Sequence, residues 1–137
     1  MVAPVQPSHR SSRPLRVLLA DDYHDSESSM AELLRLSGCE VHCCYTAWAV
    51  LPRAQQFEPD VCIINVQLPI FNVVKIAPLL RALAGDRLLL LIALIGCESL
   101  KVQEKPDDFD YHILNPNHAD QLYEKFLKLI LEWDQTC

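Results

Sequence analysis

Glycine is scarce in this chain, with three among 137 residues against nine prolines. Most of its turns must therefore be made without the residue that most readily takes left-handed backbone. Long apolar runs are lacking too. The longest, Leu88 to Ile95, has eight residues, far short of the ~20 that a membrane-spanning helix needs. Met1 to Leu15 has no apolar core of the kind that leads a secretory signal. No C-x-x-C pair occurs among the six cysteines (Cys39, Cys43, Cys44, Cys62, Cys97, Cys137), and four of them lie inside or beside apolar, strand-like segments. That pattern suits reduced, buried thiols rather than disulfides, and hence a cytoplasmic protein. An excess of positive charge is absent as well. The net charge of -6 argues against nonspecific nucleic-acid binding, although His9, Arg10, Arg13 and Arg16 make the leading arm locally basic. The expectation is a cytoplasmic chain with neither a membrane nor a nucleic-acid partner.

What is present is apolar and periodic. Half the residues are hydrophobic, which suits one domain around a single core. Residues 1–15 are rich in Pro and Ser and read as a flexible N-terminal arm, 16–133 as the domain, and 134–137 as a tail. Arg16 to Ala20 is a first strand, ending on the adjacent carboxylates Asp21 and Asp22. Met30, Leu33 and Leu34 then repeat at helical spacing, and Gly38 is placed to end that helix in a left-handed cap. Cys39 to Tyr45 is a second strand, and a helix over about 46–57 must carry Pro52 in its first turn or kink there. A segment from about Asn72 to Ala84 stops at Gly85, and its internal Pro78 rules out a regular helix throughout. Leu88 to Ile95 and Phe109 to Leu114 are the fourth and fifth strands. The polar, Pro106-containing stretch between them predicts a weak helix at most. A last helix follows Asn117 and buries Leu122, Phe126, Leu129, Ile130 and Trp133. Strands alternating with helices imply an α/β fold with a five-stranded parallel sheet.

The stretch P-D-V-C-I-I-N-V-Q-L-P, from Pro59 to Pro69, is the centre of that sheet. Val61 to Ile64 has the length and β-branched content of a strand buried on both faces. Ligands in open parallel sheets gather beyond the carboxyl ends of the strands, so Asn65, the first polar residue after the run, occupies a position suited to a site residue. Taken alone, an asparagine there also suits a local side-chain cap of the strand. His42 and Cys44 share a face of the second strand, but no second pair at ligand spacing accompanies them. They read as packing residues rather than metal ligands.

In order, the motifs are a strand then Asp21-Asp22, a strand then N-V-Q-L-P, an apolar strand then I-A-L-I-G, and D-Y-H-I-L-N-P before the final helix. Over about Arg16 to Leu131 this series resembles the receiver domain of two-component response regulators. The resemblance implies a flavodoxin-like three-layer sandwich with strand order 2-1-3-4-5. It implies that Asp21 and Asp22 match the acid pair that helps hold Mg²⁺, and that Pro69 and Pro116 match two framework prolines. It also implies a cis Asn115-Pro116 bond. Asn65 stands where the phosphoacceptor aspartate would be, Ile95 where a Thr or Ser would be, and Asn115 where a lysine would be; Val73 replaces a usual glycine, and His112 falls in line with the switch aromatic.

These replacements have chemical consequences. An amide, its nitrogen lone pair delocalised into the carbonyl, cannot attack phosphorus as a carboxylate does. Ile95 offers no hydroxyl and Asn115 no cation to a phosphoryl group. Two carboxylates in place of three leave at most a weak, vestigial Mg²⁺ site at Asp21 and Asp22 and no other cofactor. The reading is a non-enzymatic, stand-alone receiver domain that acts as a phosphorylation-independent protein-interaction module in two-component or phosphorelay signalling. Its partner would be a histidine kinase, another regulator or a second copy of itself. Tyr123, Leu127 and Leu131, which form a second apolar ridge on the last helix, are the candidate interface. The alternatives are a conventional regulator phosphorylated at another acceptor and a thiol-based redox sensor built on Cys43 or Cys97.

Overall fold

The structure, a computed structural model, describes residues 13–20, 24–65, 76–95 and 109–114, together with the helical residues Glu124, Leu127, Lys128, Ile130 and Glu132. Its elements are β1 (Arg16–Ala20), α1 (His24–Leu36), β2 (Glu40–Cys44), α2 (Ala47–Phe57), β3 (Val61–Asn65), α3 (Ile76–Ala84), β4 (Leu90–Ile95) and β5 (Tyr111–Leu114). All strand pairs are parallel and the sheet order is β2-β1-β3-β4-β5, as the flavodoxin-like reading requires. The Gly96 to Asp108 segment and the Asn115-Pro116 bond lie outside the described residues.

Side chains alternate across each strand and so build two cores. Leu18 and Ala20, Cys62 and Ile64, and Leu91 and Ala93 pack with Val50, Ala54 and Phe57 of α2 and Ile76 and Leu80 of α3. Val17 and Leu19, Val61 and Ile63, and Leu90, Ile92 and Leu94 pack on the other face with Met30 and Leu34 of α1 and with Ile130 of the last helix. The inner strands are consequently dry on both sides, and every residue of β3 is buried. Each large side chain fully withdrawn from water there contributes roughly 1.5–3 kcal/mol.

Helix ends follow local chemistry. Gly38 (φ 96°) and Gly85 (φ 60°) take the left-handed backbone that closes α1 and α3, whereas α2 closes on Glu58 at φ 52°, a side chain in a position that favours glycine. Pro52 is the sixth residue of α2, beyond the first turn, where it supplies no N–H to the Trp48 carbonyl. Pro78 falls in the first turn of α3, a place that tolerates proline. The apolar run that begins at Leu88 enters the sheet only at Leu90, and Leu88 itself is exposed.

At the amino ends of the strands, two aspartates tie the sheet together. Asp60, buried before β3, accepts both guanidinium nitrogens of Arg13 at 2.9 Å each and the Arg16 backbone N–H at 2.9 Å. Its own N–H donates to the Arg16 carbonyl and its carbonyl accepts from Leu90 N–H, so one residue links β1, β3 and β4. Asp110 repeats the device before β5, accepting the Leu91 N–H at 2.8 Å, donating its own N–H to the Leu91 carbonyl, and pairing with Arg81 at 3.0 Å. Arg13 and Leu15, which fall in the leading arm by sequence, are thus held on the sheet, Leu15 as part of the core. Replacing Arg13 with Ala leaves a buried carboxylate without its bidentate partner. The expected loss is about 1–3 kcal/mol, read as a lower urea midpoint at unchanged slope; an unchanged midpoint would contradict this role for the pair.

Candidate functional site

Strand register determines which positions meet at the carboxyl edge. Ala20, the last residue of β1, pairs with Ile64; Asn65 pairs with Leu94; and Ile95 pairs with Leu114, the last residue of β5. The backbone therefore delivers Asn65, the end of β4 at Ile95, and the chain leaving β1 and β5 to one rim. Among the sequence-predicted site residues, Asn65 is described in full, and Ile95 and His112 are placed as strand residues of β4 and β5. Asp21, Asp22, Asn115, Tyr123 and Leu131 lie outside the described residues.

Asn65 closes β3 with 4% of its surface exposed. Its alternation with Val61 and Ile63 puts it on the sheet face shared with α1 and Ile130. An amide suits such a position, because burying a neutral polar group with a hydrogen-bonding partner costs far less than burying a carboxylate. The carboxamide oxygen is a weaker ligand for a hard cation than a carboxylate, which weakens any Mg²⁺ site at this rim. Among the described residues, no group of three or more His, Cys, Asp or Glu side chains could hold a metal ion.

The two residues that share a face of β2 are absorbed by packing. His42 lies flat on Phe57, with ring centroids 3.8 Å apart and planes 9° from parallel, and the Cys44 thiol donates to the Ala49 carbonyl at 3.7 Å. Among the described residues, the buried thiols offer little to redox chemistry. Cys39, Cys44 and Cys62 are buried, and Cys43 is partly covered against the core. Burial, reinforced by the neighbouring Cys44, pushes the Cys62 thiol far above the ordinary thiol range, so its thiolate is not populated near neutral pH. Cys97 lies outside the described residues. On the last helix Ile130 is fully buried, Leu127 is half-buried, and Glu124, Lys128 and Glu132 are exposed. Leu127 therefore sits on the flank between the core stripe and solvent.

Sequence reasoning was directed to the carboxyl rim and missed the opposite pole, where Arg13, Arg16, Asp60 and the His42–Phe57 stack gather polar groups. Their partners stand far apart along the chain, and no local pattern announces them.

No family profile matches the chain. Among curated proteins it is similar to the transcriptional regulatory protein PrrA of Mycobacterium leprae and of Mycobacterium tuberculosis, each 34% identical over 71 residues. That match takes in 52% of this chain and 30% of each relative, so the chain spans less than a third of their length. Among solved structures it resembles the receiver domain of AraT, a response regulator from Geobacillus stearothermophilus, with a TM-score of 0.74 and 20% identity over 89% of this chain and 97% of that one. It also resembles a response regulator receiver domain from Bermanella marisrubri, with a TM-score of 0.71 and 17% identity over 86% and 99%. A third likeness is TrrA from Thermotoga maritima, solved with Mg²⁺ and beryllofluoride, with a TM-score of 0.69 and 21% identity over 84% and 98%. These likenesses show the fold.

Proposed function

We propose that this chain, which has the fold of response regulator receiver domains, works as a pseudo-receiver: a non-enzymatic protein-interaction domain of two-component signalling that takes no phosphoryl group. The observation that carries the reading is Asn65, a buried amide at the end of the central strand. An acyl phosphate cannot form on it. The strand positions of Ile95 and His112, together with Asn115 in sequence, supply neither hydroxyl nor lysine to that rim. Asp21 and Asp22 are then a vestigial acidic pair. Incubation with acetyl phosphate and Mg²⁺ is expected to leave the intact mass unchanged. Asn65→Asp alone is expected to label inefficiently, because each missing transition-state donor costs about 10²–10³ in rate. Rapid labelling of either protein would contradict the reading.

A partner must then recognise a surface rather than a phosphorylated state. The TrrA structure carries Mg²⁺ with beryllofluoride; on this reading the present chain, with an amide at Asn65, does not respond to such a phosphoryl mimic. The PrrA relatives are named for transcription, yet a net charge of -6 gives this chain no general attraction for DNA, and we assign it a protein partner. No described helix is long and apolar enough to cross a membrane. By helical spacing in the sequence Tyr123, Leu127 and Leu131 would form an apolar ridge, and Leu127 is half-buried, which supports a second copy of the chain as the partner there. Leu127→Glu with Leu131→Glu is expected to shift the sedimentation coefficient to that of a monomer while the circular-dichroism melt stays cooperative. A wild-type chain that is monomeric at high concentration, or a double variant that associates as before, would contradict the interface.

A further inference from the structure

Helices α2 and α3 lie side by side on one face of the sheet, with Val50, Ala54, Phe57, Ile76 and Leu80 buried beneath them. Their outer sides form an open groove of about 400 Å³, lined by Leu51, Pro52, Gln55, Leu79, Ala82 and Leu83. None of these side chains is charged, and Gln55 is the polar group among them. Leu79 and Leu83 keep 45% and 42% of their surface exposed, and Trp48, which shares a face of α2 with Pro52 one turn later, keeps 63%. Isolated exposed apolar side chains are ordinary. A continuous uncharged groove with an aromatic ring on the same helix face is a surface suited to an apolar occupant.

Both helices end at the amino pole of the sheet, where β3 and β4 begin. The base of the leading arm is fixed at that pole. Arg13 holds Asp60 through two 2.9 Å hydrogen bonds, and Arg16 Nη1 donates to the carbonyl of Phe57, the last residue of α2, at 2.9 Å. Arg87, just beyond α3, donates to the Pro59 carbonyl at 3.3 Å and so brings the end of α3 to the same place. Residues 1–12 lie outside the described residues and read M-V-A-P-V-Q-P-S-H-R-S-S. The stretch 8–12 spans up to ~17 Å when extended, whereas α2 rises only ~9 Å from Phe57 back to Leu51. That tether is long enough to carry the residues before it into the groove.

We infer that Pro4 to Pro7 of the chain's own leading arm docks in the groove between α2 and α3. P-V-Q-P is a P-x-x-P segment, which favours a polyproline II helix of three residues per turn and ~3.1 Å rise. Pro4 and Pro7 then share one edge, ~9 Å apart, and Val2 and Val5 form the next. Such a helix is ordered before it binds, so it loses little entropy on entering an apolar groove. Its carbonyls have no internal donor, and the Gln55 amide offers one. With Pro4 to Pro7 against the uncharged lining, His9 and Arg10 fall back toward the pole, where the carbonyl ends of the two helices and the exposed Glu58 and Asp86 favour cations. The tether supplies an effective concentration of about millimolar, so a weak contact is populated without a second molecule.

The test is a nuclear Overhauser spectrum of the full chain with labelled leucine methyl groups. Cross-peaks are expected from the Pro4 and Pro7 ring protons to the Leu79 and Leu83 methyls, with relative intensities unchanged on tenfold dilution. Pro4→Ala with Pro7→Ala, two changes that precede every described strand and helix, is expected to abolish the cross-peaks and shift those methyl resonances while the circular-dichroism melt stays the same. Leu79→Gln with Leu83→Gln, at exposed positions, is expected to move the Val5 and Gln6 amide resonances to random-coil values. Absence of the cross-peaks, methyl positions unchanged in the proline variant, or Val5 and Gln6 resonances unchanged in the leucine variant would overturn the assignment. Cross-peaks that weaken relative to other signals on dilution would place the arm of another copy in the groove and would likewise overturn it.

Discussion

A sheet whose inner strands are dry on both faces can place polar chemistry only at its ends. In β1, β3 and β4 nearly every side chain is buried between two helical layers, and the hydrogen-bonded backbone leaves water no entry. Each end must then satisfy whatever polar group the strand carries out of the core. At the amino end that group is a carboxylate, Asp60, and it comes with three donors, two of them on a guanidinium. At the carboxyl end it is a neutral amide, Asn65. A carboxylate at position 65 would need comparable compensation, from a metal ion or a nearby cation.

This asymmetry separates fold from chemistry. The amino-end clasps at Asp60 and Asp110 hold the register that brings the strand ends into line. They would serve equally beneath an active or an inactive rim. The sheet order alone does not fix the chemistry at the rim, because function resides in the site grafted on a fold. The comparison structures share the architecture at 17–21% identity.

Much of the architecture was legible in the sequence because its signals are local. Strands β1 and β3 stand where apolar runs ended in polar residues, and Gly38 and Gly85 close helices where the periodic pattern stopped. The run from Leu88 overstates β4 by two residues, because an apolar run does not reveal where ladder pairing begins, and Leu88 is exposed. The Arg13–Asp60 pair was not legible at all. Its members are 47 residues apart, and Pro59-Asp60 reads as a turn when taken alone. The stacking of His42 on Phe57 is hidden for the same reason. The carboxyl rim could be located only because several loose motifs recur in one order, and Asn65 among them is identifiable as the first polar residue beyond a buried strand.

The central claim is that the rim around Asn65 has lost its response to a phosphoryl group. It is tested most directly by recording amide spectra of the ¹⁵N-labelled chain before and after addition of Mg²⁺ with beryllofluoride. The account predicts no saturable shift at Asn65, at the end of β4 or at the end of β5. A saturable shift clustered at those strand ends would contradict it.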